Sequence, residues 1–261
     1  RIQKLFRIYA EFYHTNVFKM LKYIHIFSAC FMLILINSIA YSQSGYHVLN
    51  TFHIASAGKW DYIAINPVTE NIYVSHATQV NILNKQGDSV GVIENTTGVH
   101  GIAFAPEFGK GFTSNGTINT ITVFDIKTNK VLNQIKTGDK PDAIMYDSYS
   151  KRVYVCDGKS KDLTIIDPVD DKVVNTIPLG GKPETAVSDS AGKIYNNLED
   201  KSEIAVYDIK RKAVIAHWSL GKGEGPTGLA IDRKTARLFT GCDKLLVVID
   251  AENGKMVTTL P

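Results

Sequence analysis

Residues 141–177 decide the fold. Pro141-Asp142-Ala143-Ile144-Met145-Tyr146-Asp147 is followed by Val153-Tyr154-Val155-Cys156, then Leu163-Thr164-Ile165-Ile166-Asp167, then Val173-Val174-Asn175-Thr176-Ile177. Each run is short, rich in β-branched and aromatic residues, and bounded by polar turn residues, the pattern of β-strands. Asp167, at the end of the third run, suits a hairpin turn because its carboxylate can accept hydrogen bonds from amides just ahead of it. Four consecutive strands are therefore expected within about forty residues.

The pattern recurs along the chain. First-strand equivalents start at Trp60-Asp61-Tyr62, Val99-His100-Gly101, Pro141-Asp142-Ala143, Pro183-Glu184-Thr185 and Pro226-Thr227-Gly228, with spacings of 39, 42, 42 and 43 residues. Second strands follow at Ile72-Tyr73-Val74-Ser75, Gly111-Phe112-Thr113-Ser114, Ile194-Tyr195-Asn196-Asn197 and Leu238-Phe239-Thr240-Gly241. Third strands end at Asn84, Asp125, Asp167, Asp208 and Asp250. No sustained helical period is present. A period near 42 with four strands per repeat predicts the blades of a β-propeller, since stacking such sheets around an axis buries both faces of each. The expected blades are 60–98, 99–140, 141–182, 183–225 and 226–261, within a propeller domain of residues 43–261. Residues 46–55 are expected to supply a ring-closing strand.

These repeats resemble the YVTN-repeat, YncE-like propeller family. The likeness rests on Ile72-Tyr73-Val74-Ser75 and Val153-Tyr154-Val155-Cys156, on the Pro-led first strands, and on Asp167-Pro168 and Asp250-Ala251. It covers about residues 46–261. The resemblance implies an exported protein with seven blades at full length, so a chain with five repeats is read as truncated by about two C-terminal blades. A closed ring of five is the alternative.

The N-terminal part reads as a leader. Met20 and Lys22 precede an apolar run from Tyr23 to Ile36, and Ala40 and Ser42 give small residues before a cleavage point at Gln43. Residues 20–42 are thus expected to be a signal peptide, making the protein periplasmic or secreted with no stable membrane span after cleavage. An uncleaved anchor is the alternative. Residues 1–19 are read as a non-native upstream segment. The whole chain has 29 basic and 26 acidic residues. Residues 1–42 hold Arg1, Lys4, Arg7, Lys19, Lys22 and only Glu11, which leaves 24 basic and 25 acidic residues beyond them. A net charge near −1 argues against strong nucleic-acid affinity, which needs clustered positive charge. Cys156 and Cys242 lie in non-neighbouring repeats and are expected to be free thiols, partly buried.

Antiparallel strand order places the start of each first strand and the end of each second strand on one face. Asp61, His100, Asp142, Glu184 and Thr227 are expected to ring the axis there, with His76, Asn115, Asp157 and Cys242 just outside. Asp61, His100, Asp142 and Glu184 are the set that would hold a divalent cation, since carboxylates and imidazole are suitable donors. No Gly-x-Ser-x-Gly elbow, His-Glu-x-x-His motif or phosphate-binding Gly-Lys-Ser/Thr loop occurs. The leading expectation is a non-catalytic scaffold for a protein partner or a small polar ligand. A second is a lactonase-like, metal-dependent hydrolase drawing on Asp61, Asn115, Asp142, Asp157 and Glu184. A third, implied by the resemblance, is single-stranded DNA binding, for which Lys151, Arg152, Lys159 and Lys161 or Lys210, Arg211 and Lys212 would be the local patches.

Overall fold

The computed structural model describes residues 46–261 apart from Ala57. The expected signal peptide and upstream segment lie outside the described residues. The chain divides into two units, Arg1–Thr51 and Phe52–Pro261. In the first, residues 46–51 are exposed and irregular. Among the described residues, the second carries all the regular structure.

That unit contains five four-stranded antiparallel sheets, each made of consecutive strands. Blade 1 is β1 (Trp60–Ile65), β2 (Ile72–His76), β3 (Gln79–Leu83) and β4 (Ser89–Ile93). Blade 2 is β5 (Val99–Ala105), β6 (Lys110–Asn115), β7 (Thr120–Asp125) and β8 (Val131–Lys136). Blade 3 is β9 (Pro141–Asp147), β10 (Arg152–Asp157), β11 (Asp162–Asp167) and β12 (Lys172–Pro178). Blade 4 is β13 (Pro183–Ser188), β14 (Lys193–Leu198), β15 (Glu203–Asp208) and β16 (Ala213–Ser219). Blade 5 is β17 (Gly228–Asp232), β18 (Arg237–Gly241), β19 (Leu246–Asp250) and β20 (Met256–Leu260). The fold is a β-propeller with five blades. Among the described residues, no helix is long and apolar enough to cross a membrane.

The sequence signals act locally as expected. Asp125 Oδ1 accepts from the amides of Lys127 and Thr128, and Asp167, Asp208, Asp250 and Asn84 accept the matching amides in their own turns. All five blades also break register at one place between their third and fourth strands, at Ile82/Leu83, Val123/Phe124, Ile165/Ile166, Val206/Tyr207 and Val248/Ile249. Such a bulge adds local twist, which is what stacked blades need.

The second-strand tyrosines Tyr73, Tyr154 and Tyr195 are fully buried. Each keeps its hydroxyl satisfied: Tyr73 donates to Asn129, Tyr154 to Ser150 and Tyr195 to the Ala251 carbonyl. An unpaired hydroxyl at these depths would cost about 1–3 kcal/mol. The core consists of four clusters, one between each pair of successive blades.

The inner strands pack in the order β1, β5, β9, β13, β17. No comparable packing joins β17 to β1. Ile63 and Ile65 on β1 are accordingly 68% and 64% exposed, whereas the blade 2 counterpart of Ile63, Ile102, is buried. The strand expected over 46–55 is not formed; residues 46–56 carry no ladder, and none of the five sheets recruits them as a fifth strand. Instead, Ser56 hydrogen-bonds to His76 and Asn81 of blade 1.

Candidate functional site

The starts of the inner strands do converge. His100 Nδ1 lies 2.5 Å from Asp61 Oδ2 and 3.9 Å from Asp142 Oδ1. One donor atom from each of these three residues falls within 4.8 Å of the others. They come from β1, β5 and β9, so no single blade could assemble the group. Burial pushes the Asp142 carboxyl above its ordinary range; His100 opposes the shift and Asp61 adds to it.

Glu184, the next residue around the ring, is turned to Lys182, 2.6 Å from its amine. Burial raises the Glu184 pKa, partly offset by that lysine. Lys182 also pairs with Glu199, just past the end of β14, and that contact holds Glu199 below its ordinary value. Burial works against the charge on Lys182, but its hydrogen bonds to the two glutamates outweigh it and keep the amine protonated. Thr227 is exposed and contributes its carbonyl, which accepts from Thr185 Oγ1 at 2.7 Å.

A cavity of about 730 Å³ opens beside this ring. His100, Asp139 and Asp142 line it together with Lys140, Lys159, Lys161 and Lys182. Gly116 and Gly158 complete part of its wall. The side chains come from the loops of blades 2 and 3 and from the connection into blade 4.

The expected outer ring behaves differently. His76, Asn115 and Asp157 are buried in blade packing, with 1%, 0% and 0% exposure. His76 stacks on Trp60 with ring centroids 3.8 Å apart and hydrogen-bonds to Ser56. Asn115 accepts from Thr113 and donates to Thr120 and Thr122. Asp157 accepts a 2.6 Å hydrogen bond from Thr164, while its Oδ1 has no partner. Burial raises its pKa to about 7. None of the three lines the cavity. The strand ends turn these side chains sideways between blades instead of toward the mouth. Cys242 is half-buried and Cys156 fully buried, both as free thiols. Burial pushes the Cys156 thiol well up, so it is a packing residue.

Lys140, Lys182 and Glu199 had no place in the sequence expectation. A signal was available: Gly138-Asp139-Lys140-Pro141 and Gly180-Gly181-Lys182-Pro183 repeat a lysine directly before the proline that opens an inner strand. The basic residues Lys159 and Lys161, read from the sequence as part of a local patch, prove to face this cavity.

No protein-family model and no curated protein matches this sequence. Among solved structures, the chain is similar to Kuenenia stuttgartiensis hydrazine synthase, with a TM-score of 0.72 and 16% identity over 83% of this chain and 70% of that one. At that identity the likeness is one of fold, and it agrees with the five sheets in describing a β-propeller.

Proposed function

We propose that this chain is an exported, YVTN-type, YncE-like propeller that binds a small charged ligand at the mouth of its inner strands without transforming it. The supporting observation is the cavity of about 730 Å³ into which charged side chains from successive blades converge. Side chains held by several rigid sheets are well suited to recognition, because little motion is lost on binding. The apolar run from Tyr23 to Ile36 behind Lys22 supports export. The test is a thermal-shift screen of small charged metabolites against wild type, Asp142→Ala and, as a remote control, Asp170→Ala. A ligand at one hundred times its Kd should stabilise the wild type by about 2.7 kcal/mol. Its effect should vanish in Asp142→Ala and persist in Asp170→Ala. Hits that ignore Asp142, or no hits, would remove the mouth as the binding site.

A second reading is favoured by one specific observation, the three donor atoms of Asp61, His100 and Asp142 within 4.8 Å. These residues would hold a divalent cation, which when bound would supply Lewis-acid polarisation of a carbonyl, as a lactone hydrolase requires. The donor types fit such an ion, although binding through His100 Nδ1 must displace its hydrogen bond to Asp61. Elemental analysis before and after chelation separates the readings. A stoichiometric ion lost together with lactone hydrolysis supports the hydrolase; neither metal nor activity leaves the binding module.

A further inference from the structure

The hydrogen bond between Asp61 and His100 determines what His100 shows to the cavity. An ionised carboxylate only accepts, so the Nδ1 atom 2.5 Å from Asp61 Oδ2 carries a proton. A neutral imidazole has one N–H, which leaves Nε2 as an acceptor. No described residue hydrogen-bonds to Nε2. Its edge of the ring lies over Gly116: a Cβ there would stand 2.9 Å from both Cδ2 and Nε2. Gly116 does not have a positive φ, so its backbone conformation does not demand glycine. A side chain there would collide with the ring, so the glycine lets His100 keep its place on the cavity wall that both residues share, with 36% of its side chain exposed.

The lysines divide by how well they are matched. Lys161 is tied to Asp200 at 2.6 Å, and Lys182 to two glutamates. Lys159 meets Asp139 only at 3.6 Å with both side chains exposed, and Lys140 has no ion pair among the described residues. Lys140 also has a φ of 54°, in the left-handed region. Gly98 and Gly225 hold the corresponding place before the inner strands of blades 2 and 5, with φ values of 71° and 56°. Blades 1 and 4 carry Lys59 and Lys182 at this place without a positive φ, so blade 3 combines the lysine of two siblings with the left-handed backbone of the other two. The conformation costs on the order of 1 kcal/mol for a residue with a side chain. The Lys140 amide donates to Asn119 Oδ1 at 2.9 Å and its carbonyl accepts from Gly158 at 2.8 Å, which pins it there.

We infer that the cavity recognises a hydroxylated anion, whose hydroxyl donates to His100 Nε2 and whose negative group sits between Lys140 and Lys159. This rests on the reading of the cavity as a ligand site and adds the chemical class. The anionic group is a carboxylate or a phosphate.

Two matched pairs of probes test it by calorimetry at about pH 8, above the usual imidazole range. They are malate against succinate, and glycerol 3-phosphate against propyl phosphate. Within at least one pair the hydroxylated member should bind about tenfold more tightly, the effect of one net hydrogen bond. The pair that binds identifies the anion. Asp61→Asn lets an amide donate to Nδ1 and so reverses the tautomer; being at an exposed position, it leaves the fold intact. It should erase the preference for the hydroxyl. Lys140→Gly, which installs the residue of blades 2 and 5, should weaken both members of the pair alike. Nitrogen NMR of His100 should show Nδ1–H in the wild type and Nε2–H in Asp61→Asn, independent of any ligand. Equal affinity within both pairs, a preference surviving Asp61→Asn, Nε2–H in the wild type, or no binding of any probe would each overturn the inference. Were the probes silent while the thermal-shift screen found an Asp142-dependent ligand of another class, the binding module would stand and only the hydroxylated-anion assignment would fall.

Discussion

Two rings of polar residues, one strand apart, have opposite roles in this propeller. The inner ring, at the starts of the first strands, keeps water in reach: Asp61 and His100 side chains are 40% and 36% exposed. The outer ring, at the ends of the second strands, is closed off: Asn115 and Asp157 are fully buried. The inner residues exchange charge across blades around a cavity. Asn115 and Asp157 make their hydrogen bonds within their own blades. Polar residues at strand ends are therefore not equivalent. The first strand ends at the axis, where stacked sheets leave a gap, while the second is flanked by sheet on both sides.

The sharpest way to break this contrast is at Asn115. Asn115→Leu removes a partner from the buried hydroxyls of Thr113 and Thr122 and the half-buried one of Thr120, of which Thr122 keeps Gln134, and leaves an apolar side chain in a polar niche; each orphaned group costs about 1–3 kcal/mol. A loss of several kcal/mol in denaturant unfolding is expected, with m unchanged. If the variant were as stable as wild type, the outer ring would not be structural.

Asp157 gives a pH signature of comparable size. Its folded-state pKa is raised to about 7, chiefly by burial, with Asp162 directly across the ladder adding to the shift. A native carboxyl that holds its proton beyond the unfolded range contributes stability at low pH. That contribution falls as pH rises from the ordinary carboxylate range through about 7, then levels off. Melting temperature followed over this window should decline in the wild type and decline less in Asp157→Asn, which should also be the more stable of the two near pH 8. Superimposable profiles would show that Asp157 ionises without penalty.

The smallest effect belongs to the inner ring. Asp61→Asn should alter stability by less than about 1 kcal/mol, the usual range for an exposed ion pair. Asp142→Asn should be neutral or slightly stabilising near neutral pH, because it removes a carboxylate whose ionisation burial already disfavours. Large destabilisation by either change would make the mouth a structural feature and dissolve the comparison.

Much of the fold was legible in the chain. The 42-residue period, the Asp-led turns and the second-strand tyrosines predicted all five sheets with their strand order, because each signal acts over a few residues. Asp125 reaches Lys127 and Thr128 and needs nothing from elsewhere. The inner ring was legible for a related reason: once the strand order is known, the start of each first strand must lie at the axis. The outer ring was misplaced because the same logic located the backbone but not the direction of the side chains. Residues 46–55 look like a strand by composition, yet a strand exists only where a neighbour offers a ladder.

The sequence alone determined the repeat, the number of sheets, the positions of the turns and the residues at each strand end, since local hydrogen bonding and alternation settle these within a single hairpin. The tertiary structure alone decided which polar ends meet water, that Lys182 bridges Glu184 and Glu199, that Lys161 answers Asp200 39 residues away, and that Gly116 makes room for the His100 ring. These relations join separate loops and blades, and their distances follow from how tightly one sheet stacks upon the next, which no local pattern encodes.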